Sequence, residues 1–561
     1  MRQQEIEIPP ISRSVHGAIF RSCQKFPDKT ALVGNGGRAP CFSYRELENA
    51  VSRLAGGLKA LGVGQGDRVG ILSENCPEWA VAYLGILTAG AMVVPIDASL
   101  TSNELTRFFR VADLKVLFCS PRWFQPVSDL IILNALGFEL FNLIGEGTGT
   151  LRGLSGKSEN FEVEIQSSDP AVLIFTSGTT GDPKGVILTH QNLLGNLNSM
   201  VRTLPLYEDD IFLSVLPMHH TFEATCGFLL PLFAGLTIVY ARSLKSRDIL
   251  GDIAANKVTC LIGVPLLFEK IYNAIRRKIE ELPPLKRVTL KAFYETSRMG
   301  WKIGRKPGTI LFKNLRRKAG LGSIRLLVSG GAPLPARVAE WFNMIGFNFL
   351  PGYGLTECSP VVSVNRANDI QFGSVGPPLP GIEVEVDDPS ADGVGEIKVR
   401  GPQNTPGYIN NPKATSELLR EGWLFTGDLG KIEDGHIYIT GRKKNLIVSG
   451  GGKNIYPEEI ESELNLSENV LESLVMGRNK SAKIGEEIWA VVVPDLEQIK
   501  LATQNDISGD PGPEQVRDII AREVNLVNSR LAAHKRIARF EIRLEELEKT
   551  TTKKIKRNLY I

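Results

Sequence analysis

Short apolar runs of strand length recur through the first two thirds of the chain, and segments with helical spacing separate them. "RVGILS" begins at 68, "AMVVPID" at 91, "VLFCS" at 116, "AVLIFTSG" at 171, "IFLSVLP" at 211, "LTIVYA" at 236, "TCLIGVP" at 259 and "IRLLVSGG" at 324. Strands covered on both faces need no polar alternation, so this order predicts an α/β fold with largely parallel sheets. Between the runs, Ser43 and Glu46 form a capping-box pattern ahead of a helix over 44–60. After about Phe372 the period changes to two. "IEVEVDD", "GEIKVRG" and "HIYITGR" are joined by Gly and Asp turns, which predicts an antiparallel sheet or barrel. From about Arg442 a mixed α+β tail begins, and "RKKNLIVSGGGKN" marks the boundary with its clustered charges and glycines.

At 561 residues the chain needs more than one core. Its 65 Lys+Arg and 62 Asp+Glu nearly cancel, so the chain as a whole carries no strong field for nucleic acid or membrane, a balance that fails locally in one basic segment. The seven cysteines are scattered and form no C-x-x-C pair, which argues against a disulfide framework or zinc site and for a reducing, cytoplasmic setting. The first residues lack an apolar h-region. Two uncharged stretches, Trp79 to Ile96 and Ala224 to Ala241, approach the roughly 18–20 residues of a membrane span. Gly and Pro interrupt both, so each is expected to be a buried helix followed by a strand.

The most distinctive stretch is "FTSGTTGDPKGVILTH", Phe175 to His190. It follows a strand run and is expected to precede a helix, so its backbone N–H groups, hydroxyls and Lys184 can converge on an anion. Its lysine does not have the Walker A spacing. A solvated Gly/Ser turn is the plain alternative.

Three motifs in order, "TSGTTGDPKG", "GYGLTECSP" and "GWLFTGDLGKIEDGHIYITGRKKN", resemble those of the AMP-forming adenylating enzymes, which include acyl-CoA synthetases, luciferases and peptide-synthetase adenylation domains. The resemblance covers nearly the whole chain. It implies a large N-terminal domain (1–441) of two α/β subdomains plus a small β-barrel, and a small mobile α+β C-terminal domain (442–561). It further implies ATP and Mg²⁺. Thr176, Ser177, Gly178, Thr179, Thr180, Gly181 and Lys184 would wrap the β- and γ-phosphates. Tyr353 would lie by the adenine, with Gly331 and Ala332 of the "SGGA" turn on its edge and Gly354 and Thr356 beside it. Thr176 and Glu357 offer oxygens to Mg²⁺, which needs few protein ligands. Asp428 and Arg442 would hold the ribose. Lys444 matches the hinge position, and "EKTTTKKIKRNL" the segment carrying a catalytic lysine. By that alignment the lysine is Lys554, with Lys553 standing where the family has glycine and serving as runner-up. Plainer readings remain for several of these: a turn residue at Asp428, a helix-end carboxylate at Glu357 and a solvated basic tail at 553–554.

The implied chemistry is attack of a carboxylate on the α-phosphate of ATP, then transfer of the acyl group to a thiol. In "LPMHHTFEATCGFLLPLFAGL", His220 matches a position facing the reaction centre, whereas His219 is expected to pack or face solvent. Adjacent histidines are expected to point apart, against a metal pair. Glu223 either joins the site or caps a helix. Apolar neighbours here and in "TCLIGVPLLFEKIY" form either an acyl slot or ordinary core. "TECSPVVSVN" and "SGGGKNIYPEEIE" look most like long-chain fatty acyl-CoA synthetases, with CoA as cosubstrate. The alternatives are loading of an acyl carrier protein, or a binding protein for fatty acid or acyl-adenylate that does not turn over.

Residues 283–320 hold eleven Lys/Arg and one acid, Glu295. With Phe293, Tyr294, Trp301, Ile310, Leu311 and Phe312 interleaved, the segment is a candidate for peripheral contact with an anionic membrane, for an acidic carrier protein, or for a solvated helical face.

Overall fold

The computed structural model describes residues 12–37, 41–154, 163–176, 184–449, 453–479, 486–503, 511–549 and 555–560. Every apolar run named above contains a strand. Arg68–Leu72 pairs in parallel with Met92–Ile96 on one side and Val116–Cys119 on the other, and the helices Pro77–Thr88 and Ser102–Ala112 make the crossovers. These strands belong to a seven-stranded sheet in the order Gly407–Tyr408, Lys184–Thr189, Pro170–Thr176, Met92–Ile96, Arg68–Leu72, Val116–Cys119, Glu139–Asn142. A second sheet of eight strands runs Val361–Val364, Asn348–Gly354, Leu326–Ser329, Cys260–Gly263, Ile211–Ser214, Thr237–Tyr240, Thr30–Val33, Cys41–Ser43. Its central pairs are parallel.

The helix Tyr44–Ala60 begins with the expected capping box: Ser43 Oγ accepts from Glu46 N, and the Glu46 carboxylate accepts from Ser43 N at 2.7 Å. Apart from Glu78 in its first turn and Thr88 at its end, Pro77–Thr88 is apolar round its circumference, as suits a helix buried from Pro77 to Leu87. Its Trp79 and Tyr83 stack with ring centroids 5.2 Å apart, and Phe228 meets both edge-on. The second uncharged stretch folds as a π-helical turn Glu223–Leu229, a short helix Leu230–Phe233 and the strand Thr237–Tyr240. Among the described residues no helix is long and apolar enough to cross a membrane.

The period-two region builds a five-stranded antiparallel sheet from Glu383–Asp387, Gly395–Arg400, Leu419–Arg420, Trp423–Glu433 and His436–Arg442. The chain therefore has a large N-terminal part, and a smaller α+β C-terminal part follows. The latter holds a three-stranded sheet (Val470–Asn479, Glu486–Pro494, Arg539–Ile542) against helices Pro457–Leu464 and Pro513–Arg530. Ile460, Leu464, Val475, Val492, Ile520 and Val524 give it a core of its own.

One local expectation is corrected. The glycine-rich stretch does not run from strand to helix. It links two antiparallel strands, Pro170–Thr176 and Lys184–Thr189, and the helix starts only at His190. The β-branched, apolar "GVILT" pairs with the preceding strand before Thr189 caps the helix, so this helix begins a strand's length after the loop and not at its end.

Candidate functional site

The neck of that hairpin sets the first two candidates side by side, for Thr176 and Lys184 are register partners. Thr176 Oγ1 donates to the Lys184 carbonyl at 3.4 Å. Ser177, Gly178, Thr179, Thr180 and Gly181 lie outside the described residues. On the other edge of Lys184–Thr189 the short strand Gly407–Tyr408 is added antiparallel, pairing Tyr408 with Val186. This carries the Tyr408 ring under the Lys184 ammonium, 5.2 Å from ring centroid to Nζ, a cation–π contact. The Tyr408 hydroxyl in turn donates to Glu357 Oε1 at 2.7 Å. Burial, followed by the charge of Glu357, raises the phenol's pKa, so Tyr408 stays a donor.

Glu357 sits in the tight turn Thr356–Cys358, just after the strand Asn348–Gly354. Gly354 is required there: a Cβ would lie 2.0 Å from the Pro360 carbonyl oxygen. The Glu357 carbonyl accepts from Thr405 N at 2.8 Å, tying this turn to the segment that leads to Tyr408. Lys184, Glu357, Tyr408 and Arg442 line one cleft of about 270 Å³, together with Thr426 and Gly427.

Asp428 is buried on the long strand Trp423–Glu433 and faces Arg442 across the ladder. Arg442 Nε lies 2.6 Å from Asp428 Oδ1, and the Tyr353 hydroxyl donates to Oδ2 at 2.7 Å. Both oxygens are thus engaged. Each keeps a lone pair for a further donor. Lys444 follows in the turn Lys443–Asn445, where burial and the neighbouring Arg442 and Arg557 lower its pKa. Lys443 instead pairs with Glu396, at 2.8 Å.

Ser329 ends a strand of the eight-stranded sheet, and Gly331 and Ala332 are exposed just beyond it, Gly331 at φ +85°. Phe222 packs on this turn, since a Cβ on Gly330 would come within 3.0 Å of its Cζ. Thr221 Oγ1 donates to Thr356 Oγ1 at 3.2 Å. The His220 segment is therefore brought against both the 329–332 turn and the Thr356 turn. His219 packs, as one of the two expectations had it: its side chain is only 10% exposed, with Asp97 Oδ2 at 3.6 Å and burial lowering its pKa. The two rings do not point apart, however. Their centroids are 4.1 Å from each other, because the turn at Met218 to His220 lets neighbouring side chains meet.

Glu223 is fully buried in the first turn of the π-helical segment, where the cap position falls to Phe222. The apolar residues proposed for an acyl slot, Phe228 to Phe233 and Phe268 with Tyr272, are packed in the two large cores, and packing accounts for them. Lys553 and Lys554 lie outside the described residues. Nearby, the charge of Lys556 reaches Glu104, at the start of the helix Ser102–Ala112.

Two residues of this neighbourhood went unremarked in the sequence. Tyr408 carries no signature beyond a glycine before it. Asn75 follows the strand Arg68–Leu72, and its amide clamps the histidine segment: Nδ2 donates to the Leu216 carbonyl at 2.6 Å and to Ser214 Oγ at 3.0 Å, while Oδ1 accepts from Met218 N at 3.0 Å. A polar residue at the carboxyl end of a parallel strand was the available signal.

The sequence profile described as "AMP-binding enzyme" matches residues 19–409. The chain is 30% identical over 552 residues to a long-chain-fatty-acid–CoA ligase of Mycobacterium bovis, covering 92% of this chain and 89% of that one. It is 32% identical over 482 residues to a feruloyl-CoA synthase of Amycolatopsis sp., covering 84% and 87%. Among solved structures, ATP-bound MatB from Rhodopseudomonas palustris superposes with a TM-score of 0.76 at 28% identity, over 97% of this chain and 98% of that one.

Proposed function

The chain belongs to the AMP-binding enzyme family, and on that footing we propose that it is an ATP-dependent acid–thiol ligase: it joins a medium- or long-chain fatty acid to AMP, then hands the acyl group to CoA. The observation that carries the reading is the single cleft shared by Lys184, Glu357, Tyr408 and Arg442, next to an Asp428 held by Tyr353 and Arg442. A carboxylate is a weak nucleophile, so the protein's part is to align it and to offset charge on the departing pyrophosphate.

In this reading residues 176–185 enclose the β- and γ-phosphates, and Lys184, steadied by the Tyr408 ring, supplies the positive charge. Asp428 accepts from the ribose hydroxyls, Arg442 stays beside it, and Tyr353, Gly354 and the turn of Gly331 and Ala332 border the base. Glu357 and Thr176 fit Mg²⁺: both present hard oxygens, and Tyr408 occupies only Oε1 of Glu357. When bound, Mg²⁺ would neutralise phosphate charge there. His220 borders the reacting carboxyl. Lys554 bridges the substrate carboxylate and the α-phosphate. A C-terminal domain from 442, turning about Lys444, withdraws Lys554 so that the thiol can enter.

The fatty acid and CoA are supported by the M. bovis relative, while the Amycolatopsis relative acts on an aryl acid by its name. Exchange of labelled pyrophosphate into ATP, followed by AMP release, tests the proposal with short, medium and long fatty acids and aryl acids, each with CoA and with holo-carrier protein. Exchange and CoA-dependent AMP release with the longer fatty acids are expected. Exchange with no acid would leave only a binding protein; preference for aryl acids, or for the carrier protein, would overturn the assignment of acid or acceptor.

A further inference from the structure

The basic segment at 283–320 folds as the helices Pro284–Lys302, Gly308–Leu311 and Lys313–Lys318. Its aromatic residues do not face outward as the composition suggested. Phe293 and Tyr294 pack on the second core, Phe312 is buried within it, and Leu311 lies against it. Trp301 lies against Phe372, centroids 5.7 Å apart. Of the apolar residues first considered, Ile310 alone is exposed, at 79%.

The opposite face of the long helix shows a different set. Leu285 is 80% exposed, Val288 66%, Met299 69% and Ile303 70%. Steps of three, four and seven residues from 285 through 288, 292, 299 and 303 keep these positions on one stripe of an α-helix. Ala292 fills the gap and is also exposed. Alongside run Arg287, Lys291, Arg298 and Lys302, one helical face round, and Arg305 follows at the end. Glu295, the segment's sole acid, is 3.6 Å from Arg298, which Glu340 also approaches at 3.9 Å, and among the described residues no ion pair engages Arg287, Lys291, Lys302 or Arg305. Nine of the eleven Lys/Arg are exposed. The other two are structural: Lys306 Nζ donates to Asn348 Oδ1 at 2.9 Å and to the Ala367 carbonyl at 2.7 Å, and Arg316 donates to the carbonyls of Ile345 and Gly346, each at 2.8 Å.

We propose that the outer face of Pro284–Lys302, with Ile303, Arg305 and Ile310, docks on the surface of an anionic phospholipid bilayer. The helix would lie in the interface plane, long aliphatic side chains entering the acyl boundary and Lys and Arg meeting lipid phosphates. Charge complementarity selects this occupant. A bare apolar stripe fits a second protein copy equally well and a bare basic stripe fits any acidic protein, but stripes of both kinds along one exposed helix match a layer of anionic headgroups over hydrocarbon. The surface is separate from the nucleotide cleft, so this inference stands whether or not the acid has been assigned correctly.

The test is co-sedimentation of the full chain with phosphatidylglycerol-containing vesicles and with pure phosphatidylcholine vesicles, at low and high salt. Binding to the anionic vesicles, weakened by salt, is expected. At about one decade of partitioning for every one to two surface cations, Lys291→Glu/Lys302→Glu/Arg305→Glu should lower it by at least about a hundredfold. Val288→Asp/Ile303→Asp should lower it at least about tenfold with the cations intact. Both variants change exposed side chains only, and circular dichroism and thermal melting should match the parent. Failure of the parent chain to sediment with anionic vesicles overturns the proposal. So does binding that ignores Val288→Asp/Ile303→Asp, which would mark a purely electrostatic patch such as an acidic carrier protein would use. Concentration-dependent dimerisation abolished by the same pair, without vesicle binding, would reassign the face to a second copy.

Discussion

Replacing Glu223 by Gln is expected to make the protein more stable, and increasingly so as pH rises. Glu223 is wholly buried, and neither carboxylate oxygen has a well-formed hydrogen bond among the described residues; the Ser214 hydroxyl and the Leu216 N–H approach it only in poor geometry. Gly227, one turn on, leaves room for it: a Cβ there would lie 2.5 Å from the carboxyl carbon. Burial pushes its pKa up from 4.5 to about 8, and the Ser214 hydroxyl and the Leu216 N–H offset this only in part. Among the described residues no cation acts on it. Cys226 and Tyr240 are themselves pushed up by burial and then by neighbouring negative charge, to which Glu223 contributes. In the unfolded chain the carboxyl ionises near 4.5, whereas in the folded protein it keeps its proton to about 8. Below the lower value both states are protonated and the group costs nothing. Between the two values only the folded state holds the proton, so stability falls by about 1.4 kcal/mol per pH unit, reaching about 3 kcal/mol by pH ~7 and about 5 kcal/mol above pH ~8. Glutamine matches the shape of the neutral acid and does not titrate. Its extra N–H donors add an offset, but that offset is independent of pH. Urea unfolding of parent and Glu223→Gln should therefore give a difference that climbs by about 1.4 kcal/mol per unit from pH ~5 to pH ~8 and then levels off. A difference that stays constant across that window would refute the reasoning, because it would mean that the buried carboxyl is either ionised throughout or solvated.

The other predictions concern the cleft. Lys554→Ala should abolish acid-dependent pyrophosphate exchange yet leave thioester formation from supplied acyl-adenylate largely intact; equal loss of both steps would mean that another lysine serves. Asp428→Ala should weaken AMP binding by about 2 kcal/mol, roughly thirtyfold, by titration calorimetry, and unchanged affinity would remove it from the ribose site. Tyr408→Phe keeps the ring beneath Lys184 but deletes the hydrogen bond to Glu357, so exchange should fall about three- to tenfold with a higher Mg²⁺ requirement; an unaltered Mg²⁺ dependence would separate Glu357 from the metal. Asn75→Ala removes three hydrogen bonds from the segment at 214–218 and should reduce exchange about tenfold or more with AMP affinity preserved; loss of AMP affinity instead would point to a general packing defect.

The central strands of both large sheets, such as Arg68–Leu72, Met92–Ile96, Ile211–Ser214 and Cys260–Gly263, were legible because strands covered on both faces are apolar throughout; the strands nearer the edges, such as Glu139–Asn142 and Gly407–Tyr408, were not. The cap at Ser43 was equally plain, since it is local to four residues. Tertiary pairing hid the rest. The run "GVILT" suits a strand as well as the start of a helix, and only the ladder to Pro170–Thr176 decides it. In 283–320 composition gave the charge correctly but could not tell which apolar residues turn inward. The second core takes Phe293 and Phe312 and leaves Val288 and Met299 outside. Glu357, Asp428 and Arg442 were found through long motifs. Tyr408 and Asn75 were not, because their partners, Glu357 and the segment at 214–218, come from distant parts of the chain.

The pairing of Asp428 with Arg442 has a mechanical side. Arg442 is the final rung of His436–Arg442, and immediately beyond it the backbone turns through Lys443–Asn445 toward the smaller C-terminal part. The same carboxylate that grips this arginine also grips Tyr353, on a strand of the eight-stranded sheet. Under the proposed ribose role of Asp428, a bound sugar would share this one carboxylate with both Arg442 and Tyr353, so the pocket would be tied to the last rung before the turn toward the C-terminal part.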